Sequence, residues 1–241
     1  MPVATWLPYL QEFRQRIIRC ILVWLVIFLP GLYYANTLYH YFALPLIHLL
    51  PSGHHLVVTK LTYSFTTPMH LVFQMSLWVT MPFFLYQLWH FVAPALYKKE
   101  KILVQSTLVA SIGLFYIGML FAFFVVCPMT LKFFIFLTPL DVKIMTDIQH
   151  YLDFVLSLLW AFGLAFQVPI VTWILLHTRI LTPERLRDWR PYVIIGAFTL
   201  GMLLTPPDVL SQILLALPLW GLFELGLAVY AFQHRAAPHN R

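Results

Sequence analysis

Glu100 stands in the run Lys98-Lys99-Glu100-Lys101, one carboxylate among three cations. Such a group either softens a solvated basic cluster or is held out to receive a cationic ligand. An arginine guanidinium suits it best, because it binds bidentately through charge-assisted hydrogen bonds of about 1.5–3 kcal/mol each. Glu12 is a second such acid, just before Arg14 and Arg16, and its simplest role is favourable charge in the first turn of a helix. Glu224 lies inside an apolar run, eight residues before Phe232, which is roughly 12 Å along a helix. An ionisable group at that depth is costly, so it is either functional or neutralised by its neighbours. Gln167, followed by Pro169, is the main polar interruption of another apolar run and can bond between helices for about 0.6–2 kcal/mol. Asp208 follows Thr205-Pro206-Pro207 and suits a helix N-cap.

Ten histidines raise the question of haem or metal. A membrane haem needs axial ligands facing one another across a bundle, whereas His70 falls near one membrane face and His90 and His177 near the other. His40, His48, His54 and His55 share one loop, at spacings that match no zinc motif. Cys20 and Cys127 fall near opposite faces and form no CxxC pair. There is no nucleophile with its base, no glycine-rich phosphate loop and no metalloprotease motif. The expectation is a protein without catalytic residues, metal or cofactor.

These groups must be positioned by helices in lipid. The 241 residues are 61% hydrophobic and only 10% charged, against about 25% charged in a soluble domain. The net charge of +6 comes from short basic clusters beside apolar runs, which reads as membrane topology rather than nucleic-acid binding. Apolar runs cover about 17–36, 69–89, 102–126, 151–176, 192–204 and 209–232. About 20 residues span the hydrocarbon core, so the fifth run is short. Sorting the loops alternately places twelve of the fifteen Lys and Arg on the side of the N-terminus and leaves Lys60, Lys132 and Lys143 on the other. The positive-inside rule then predicts N-in and C-in ends, and the fifth run must cross to keep Arg235 and Arg241 inside. The fold expected is all-α, with six transmembrane helices in a single domain over 1–241. The N-terminus lacks a short apolar segment with a small-residue cleavage site, so the first run reads as a retained span. The outer segment from about Cys127 to His150 reads as short helices at the interface. Thr182-Pro183-Glu184 reads as a helix start.

The stretch Phe91-Val92-Ala93-Pro94-Ala95-Leu96-Tyr97-Lys98-Lys99-Glu100 resembles the cytoplasmic-loop signature of the TatC family, the receptor subunit of the twin-arginine protein translocase. Further segments match in order and spacing: Tyr86-Gln87-Leu88-Trp89, Phe115-Tyr116-Ile117-Gly118, Ala161-Phe162-Gly163, Arg190-Pro191-Tyr192-Val193 and Gly201-Met202-Leu203-Leu204-Thr205-Pro206-Pro207-Asp208. The resemblance implies a concave, cupped-hand bundle with short fifth and sixth spans, in the bacterial inner membrane with both termini cytoplasmic. It implies a receptor that binds twin-arginine signal peptides and supports export of folded proteins driven by the proton-motive force. Glu100 then resembles the acceptor of the arginine pair. Phe91, Glu12 and Arg14 resemble its surroundings, together with the signature residues Pro94, Leu96 and Tyr97. Pro45 resembles a proline of the first outer loop, and Asp208 an acid of the last outer turn. Partners implied are TatA- and TatB-like single-span proteins, further copies of the chain within the complex, and membrane lipid. No nucleic acid is expected. Gln167 stands where many members carry glutamate. It keeps hydrogen-bonding capacity without titrating, which suits a contact with a partner helix. Lys60 stands where a member can carry aspartate, so an acidic role does not transfer there.

Two rivals come from other classes. A proton-coupled small-solute transporter would use Glu224 and Gln167 at the midplane, but the chain shows no internal repeat and no glycine-rich helix breaks. A haem-binding oxidoreductase subunit is the weaker rival.

Overall fold

The computed structural model describes residues 7–40, 56–57, 60, 62–96, 101–137, 146–178, 180–204 and 209–235. The described chain is almost wholly helical. Its helices include α1 Leu7–Tyr33, α2 Tyr63–Leu96, α3 Lys101–Phe121, α4 Cys127–Leu137, α5 Ile148–Ala165, α6 Val168–His177, α7 Pro183–Asp188, α8 Arg190–Leu204 and α9 Val209–Arg235. Five helical stretches are long and apolar enough to cross a membrane: Gln11–Tyr33, Tyr63–Phe91, Gln105–Phe133, Gln149–His177 and Gln212–Phe232. Arg190–Leu203 is a shorter apolar helix. Bulky apolar side chains face outward along them, among them Val26 (71% exposed), Val109 (70%) and Leu203 (74%). Apolar surface on this scale belongs in lipid, where a helix also satisfies its own backbone. The chain divides into two compact units, Met1–Leu108 with Met145–Gln149, and Val109–Ile144 with His150–Arg241.

In the first unit α1 packs along α2. Trp24 Nε1 donates to Ser76 Oγ at 2.7 Å, and the Ser76 hydroxyl donates to the Phe73 carbonyl at 2.7 Å. The indole is stacked on Phe28 and meets Phe73 edge-on, at centroid distances of 4.9 and 5.2 Å. One polar pair is thus satisfied inside an aromatic contact, as an apolar surround requires. Helix α1 begins ten residues before the apolar run does, because hydropathy marks only the part matched to hydrocarbon. The basic turn before it is equally helical and carries an i,i+4 pair, Glu12 with Arg16. At 34 residues, α2 is about 51 Å long and outruns a core about 30 Å thick.

Sequence reading gave no sign of a two-residue parallel ladder, β1 Leu56–Val57 with β2 Thr146–Asp147. Next to it, Asp147 Oδ1 accepts from the Gln149 N–H at 2.8 Å, capping α5. Thr67 donates its hydroxyl to Gln149 Oε1 at 2.9 Å, which ties the start of α5 to the start of α2.

In the second unit α3 meets α5 at unusually short range. A Cβ on Gly118 would lie 2.6 Å from the Phe162 carbonyl oxygen, and one on Gly163 would lie 2.9 Å from the Phe115 ring. Helix association in lipid relies on such small residues for close backbone approach. Phe115, Phe162, Leu158 and Val155 are fully buried there. A second cluster joins Leu176, Leu186, Phe223 and Leu227, with Leu186 supplied by α7. The α7 start is as expected. Thr182 is the N-cap and accepts from the Arg185 N–H at 3.4 Å, and Pro183 opens the helix. The Glu184 carboxyl is held below its usual range by its own backbone N–H and the Thr182 hydroxyl.

Two runs differ from expectation. The helix of the third does not end at Val126. A π-turn over Ala122–Val126 joins α3 to α4, and the Cys127 N–H reaches back to the Ala122 carbonyl. Pro128 cannot donate, and its ring would crowd the Phe124 carbonyl in a regular helix; the widened turn relieves this. The outer segment from Cys127 is therefore helical continuation to Leu137, not separate short helices. The fourth run is divided at Phe166-Gln167 into α5 and α6. Pro169 breaks the ladder there, and the Gln167 N–H turns to Leu164 O at 3.0 Å.

Candidate functional site

The N-terminal turns of α1 and the C-terminal turns of α2 build one polar cluster within the first unit. Arg16 donates from Nε to Glu12 Oε1 at 3.2 Å and from Nη2 to the same oxygen. Its Nη1 donates to the side-chain oxygen of Gln87 at 3.2 Å and to the Gln87 carbonyl at 3.3 Å. The guanidinium also lies 5.8 Å from the centroid of the Phe91 ring, which Phe13 meets at 5.8 Å. The Arg16 side chain is 13% exposed and that of Glu12 48%. A nearly buried cation is thus paid for by a carboxylate, an amide, a main-chain carbonyl and a ring face. The same set of groups is what any arginine side chain would require.

Of the expected site residues, Glu12 and Phe91 come together here, bridged by Arg16. Glu12 lies beyond the first turn of α1, so its partner is Arg16 rather than the helix terminus. Arg14 is exposed on α1. Pro94 and Leu96 belong to the last turn and a half of α2, and their side chains fall outside the described residues, as do Tyr97 and Glu100 entirely. Pro45 and Asp208 also lie outside them. Arg16 and Gln87 complete this cluster, and the sequence alone singles out neither. Arg16 counts in sequence as topological charge, although its i,i+4 spacing from Glu12 is visible, and Gln87 lies in the family-like segment Tyr86-Gln87-Leu88-Trp89.

In the second unit Gln167 donates its amide to the Ser111 carbonyl of α3 at 2.9 Å. It sits in the break that Pro169 forces and binds that break to a neighbouring helix. Glu224 Oε2 accepts from Arg190 Nη2 at 2.7 Å, with side chains 27% and 46% exposed, while Glu224 Oε1 is buried without a hydrogen-bond partner. The acid within α9 is therefore neutralised by the first residue of α8. Gln167 and Glu224 each bond to a different helix, α3 and α8. The pair is half solvated, so its net worth is about 1 kcal/mol or less. Arg190→Glu and Glu224→Arg should each lower the thermal midpoint in detergent, and the double exchange should recover most of the loss.

The fold and its polar sites define a multi-pass α-helical membrane protein with a polar cluster around Arg16 at one end of its first helix pair. Residues 8–218 match the family model described as Sec-independent protein translocase protein (TatC). The chain is 49% identical to the TatC protein of Escherichia coli K12 over 92% of this chain and 86% of that one. It is 44% identical to the TatC protein of Haemophilus influenzae, over 94% and 88%. A solved structure of a twin arginine translocase receptor, TatC, superposes with a TM-score of 0.84 at 34% identity, covering 94% of this chain and all of that one. The chain belongs to the TatC family.

Proposed function

We propose that the chain is the signal-peptide receptor of a Sec-independent translocase, with Glu100 as the acceptor of the arginine pair. It is a core subunit of the Tat translocase and so a component of a protein-translocation complex. Glu12 and Phe91, with Arg14, Pro94, Leu96 and Tyr97, complete the receptor surface. The observation that supports this reading is the Glu12–Arg16–Gln87–Phe91 cluster. It carries the chemistry of arginine recognition and lies at the ends of α1 and α2, on the chain that leads into Lys98-Lys99-Glu100.

Six spans with both termini cytoplasmic bring this face into contact with the peptide before export, in the bacterial inner membrane. The protein acts as one domain and by binding alone, without catalysis. The proton-motive force drives transport. TatA- and TatB-like single-span partners pack against the short α8 and against α9, with Gln167 and Asp208 as polar contacts and Pro45 as a further contact residue of the first outer loop. The transporter alternative has less support, since Glu224 is paired with Arg190 and Gln167 is bonded to Ser111.

Site-specific cross-linking from position 100 tests the proposal. A peptide bearing an arginine pair should label strongly, and the same peptide with a lysine pair weakly, because lysine keeps the charge and loses the planar fork. Equal labelling refutes the assignment.

A further inference from the structure

We propose that Arg16 is a built-in competitor for the Glu12 carboxylate and sets how strongly a peptide must bind before the receptor accepts it. The proposal rests on Glu12 belonging to the signal-peptide site. Three features support it. First, two nitrogens of Arg16 occupy one oxygen of Glu12, so an incoming guanidinium cannot take both carboxylate oxygens without displacing Arg16. Second, Arg16 has other partners on α2: the side-chain and main-chain oxygens of Gln87, and the ring of Phe91. Third, Glu12 is half exposed while Arg16 is nearly buried, so the acid can turn toward a ligand while the cation stays where it is.

Exchange then follows from these contacts. The incoming arginine takes the Glu12 carboxylate and Arg16 keeps Gln87 and Phe91. One charge-assisted pair is lost as another forms, and Arg16 is left with neutral partners only, a cost that the incoming arginine has to overcome. A ligand that binds only the opened form has its apparent affinity reduced by the fraction of molecules that are open. The reduction is the same for every cationic peptide. An arginine pair, which makes the most directed bonds, survives it, and a lysine pair falls below the working range.

The test uses the full-length chain in lipid nanodiscs, titrated with two peptides identical except for Arg-Arg or Lys-Lys. Titration midpoints are insensitive to a fraction of inactive protein, so partial misfolding of a variant does not mask the result. Arg16→Gln should tighten both peptides by about tenfold, with their ratio unchanged. Arg16→Lys, which keeps the charge and should preserve the fold, should give a smaller gain in the same direction. Adding Glu12→Gln to Arg16→Gln should abolish the gain. Unchanged or weakened Arg-Arg binding in both single variants overturns the competitor role while leaving the receptor assignment standing. A wild-type chain that binds the two peptides equally overturns the receptor assignment, and this proposal with it.

Discussion

Glu100→Gln is expected to reduce binding of a twin-arginine peptide by roughly 30- to 1000-fold, corresponding to about 2–4 kcal/mol from lost charge-assisted hydrogen bonds. The amide is the same size and keeps one acceptor, so it removes charge without removing shape. A guanidinium facing it loses its bidentate partner and faces only Lys98, Lys99 and Lys101 nearby in sequence. Those cations repel the peptide, so the carboxylate has to supply both local attraction and geometry. Export of folded cargo should fail in parallel. Rising salt should weaken wild-type binding more than that of the variant, because the Debye length shrinks from about 10 Å at 0.1 M to about 3 Å at 1 M. Normal cross-linking or export in Glu100→Gln would show that the arginine pair is received elsewhere.

Gly118→Ala should be the most damaging of the glycine-to-alanine changes in α3. Its methyl would sit 2.6 Å from the Phe162 carbonyl oxygen and 2.8 Å from the Phe166 ring. The ring can turn, but the carbonyl belongs to the backbone of α5, so the two helices must separate. Overpacking of this kind costs about 1–3 kcal/mol, and a wider gap also weakens the Phe115–Phe162 core beside it. Gly113 supplies the control within the same helix, since a Cβ there meets nothing within 4 Å. Gly113→Ala should be neutral or stabilising by up to about 1 kcal/mol through helix propensity. Detergent melting followed by size-exclusion chromatography separates the two outcomes. Equal midpoints for both variants would mean that the α3–α5 approach is not under steric control. The same logic makes Gly226 intolerant, because a Cβ there lies 2.9 Å from the Pro169 Cα of α6.

Hydropathy and charge determined which segments are apolar helices and which loops are basic, because the cost of burying charge in hydrocarbon acts on residues one at a time. The signature around Glu100 and the Thr182-Pro183 start were likewise legible, being local patterns. Other features depended on groups far apart in the chain. Nothing near Arg16 in sequence says that Gln87 will accept from it. The π-turn before Pro128 and the break before Pro169 show which of the available prolines interrupt a helix, whereas Pro30 and Pro218 lie within continuous helices. Glu224 illustrates the division best. Its place inside an apolar run was evident and left two readings, a functional group or one neutralised by its neighbours, but the partner, Arg190, is 34 residues away and is reached only once α8 lies against α9. The sequence by itself determined that this chain lives in a membrane and carries acids suited to arginine. The tertiary structure alone decided that Glu224 holds Arg190, because that pairing at 2.7 Å depends on how α8 packs against α9 and not on the order of residues along the chain.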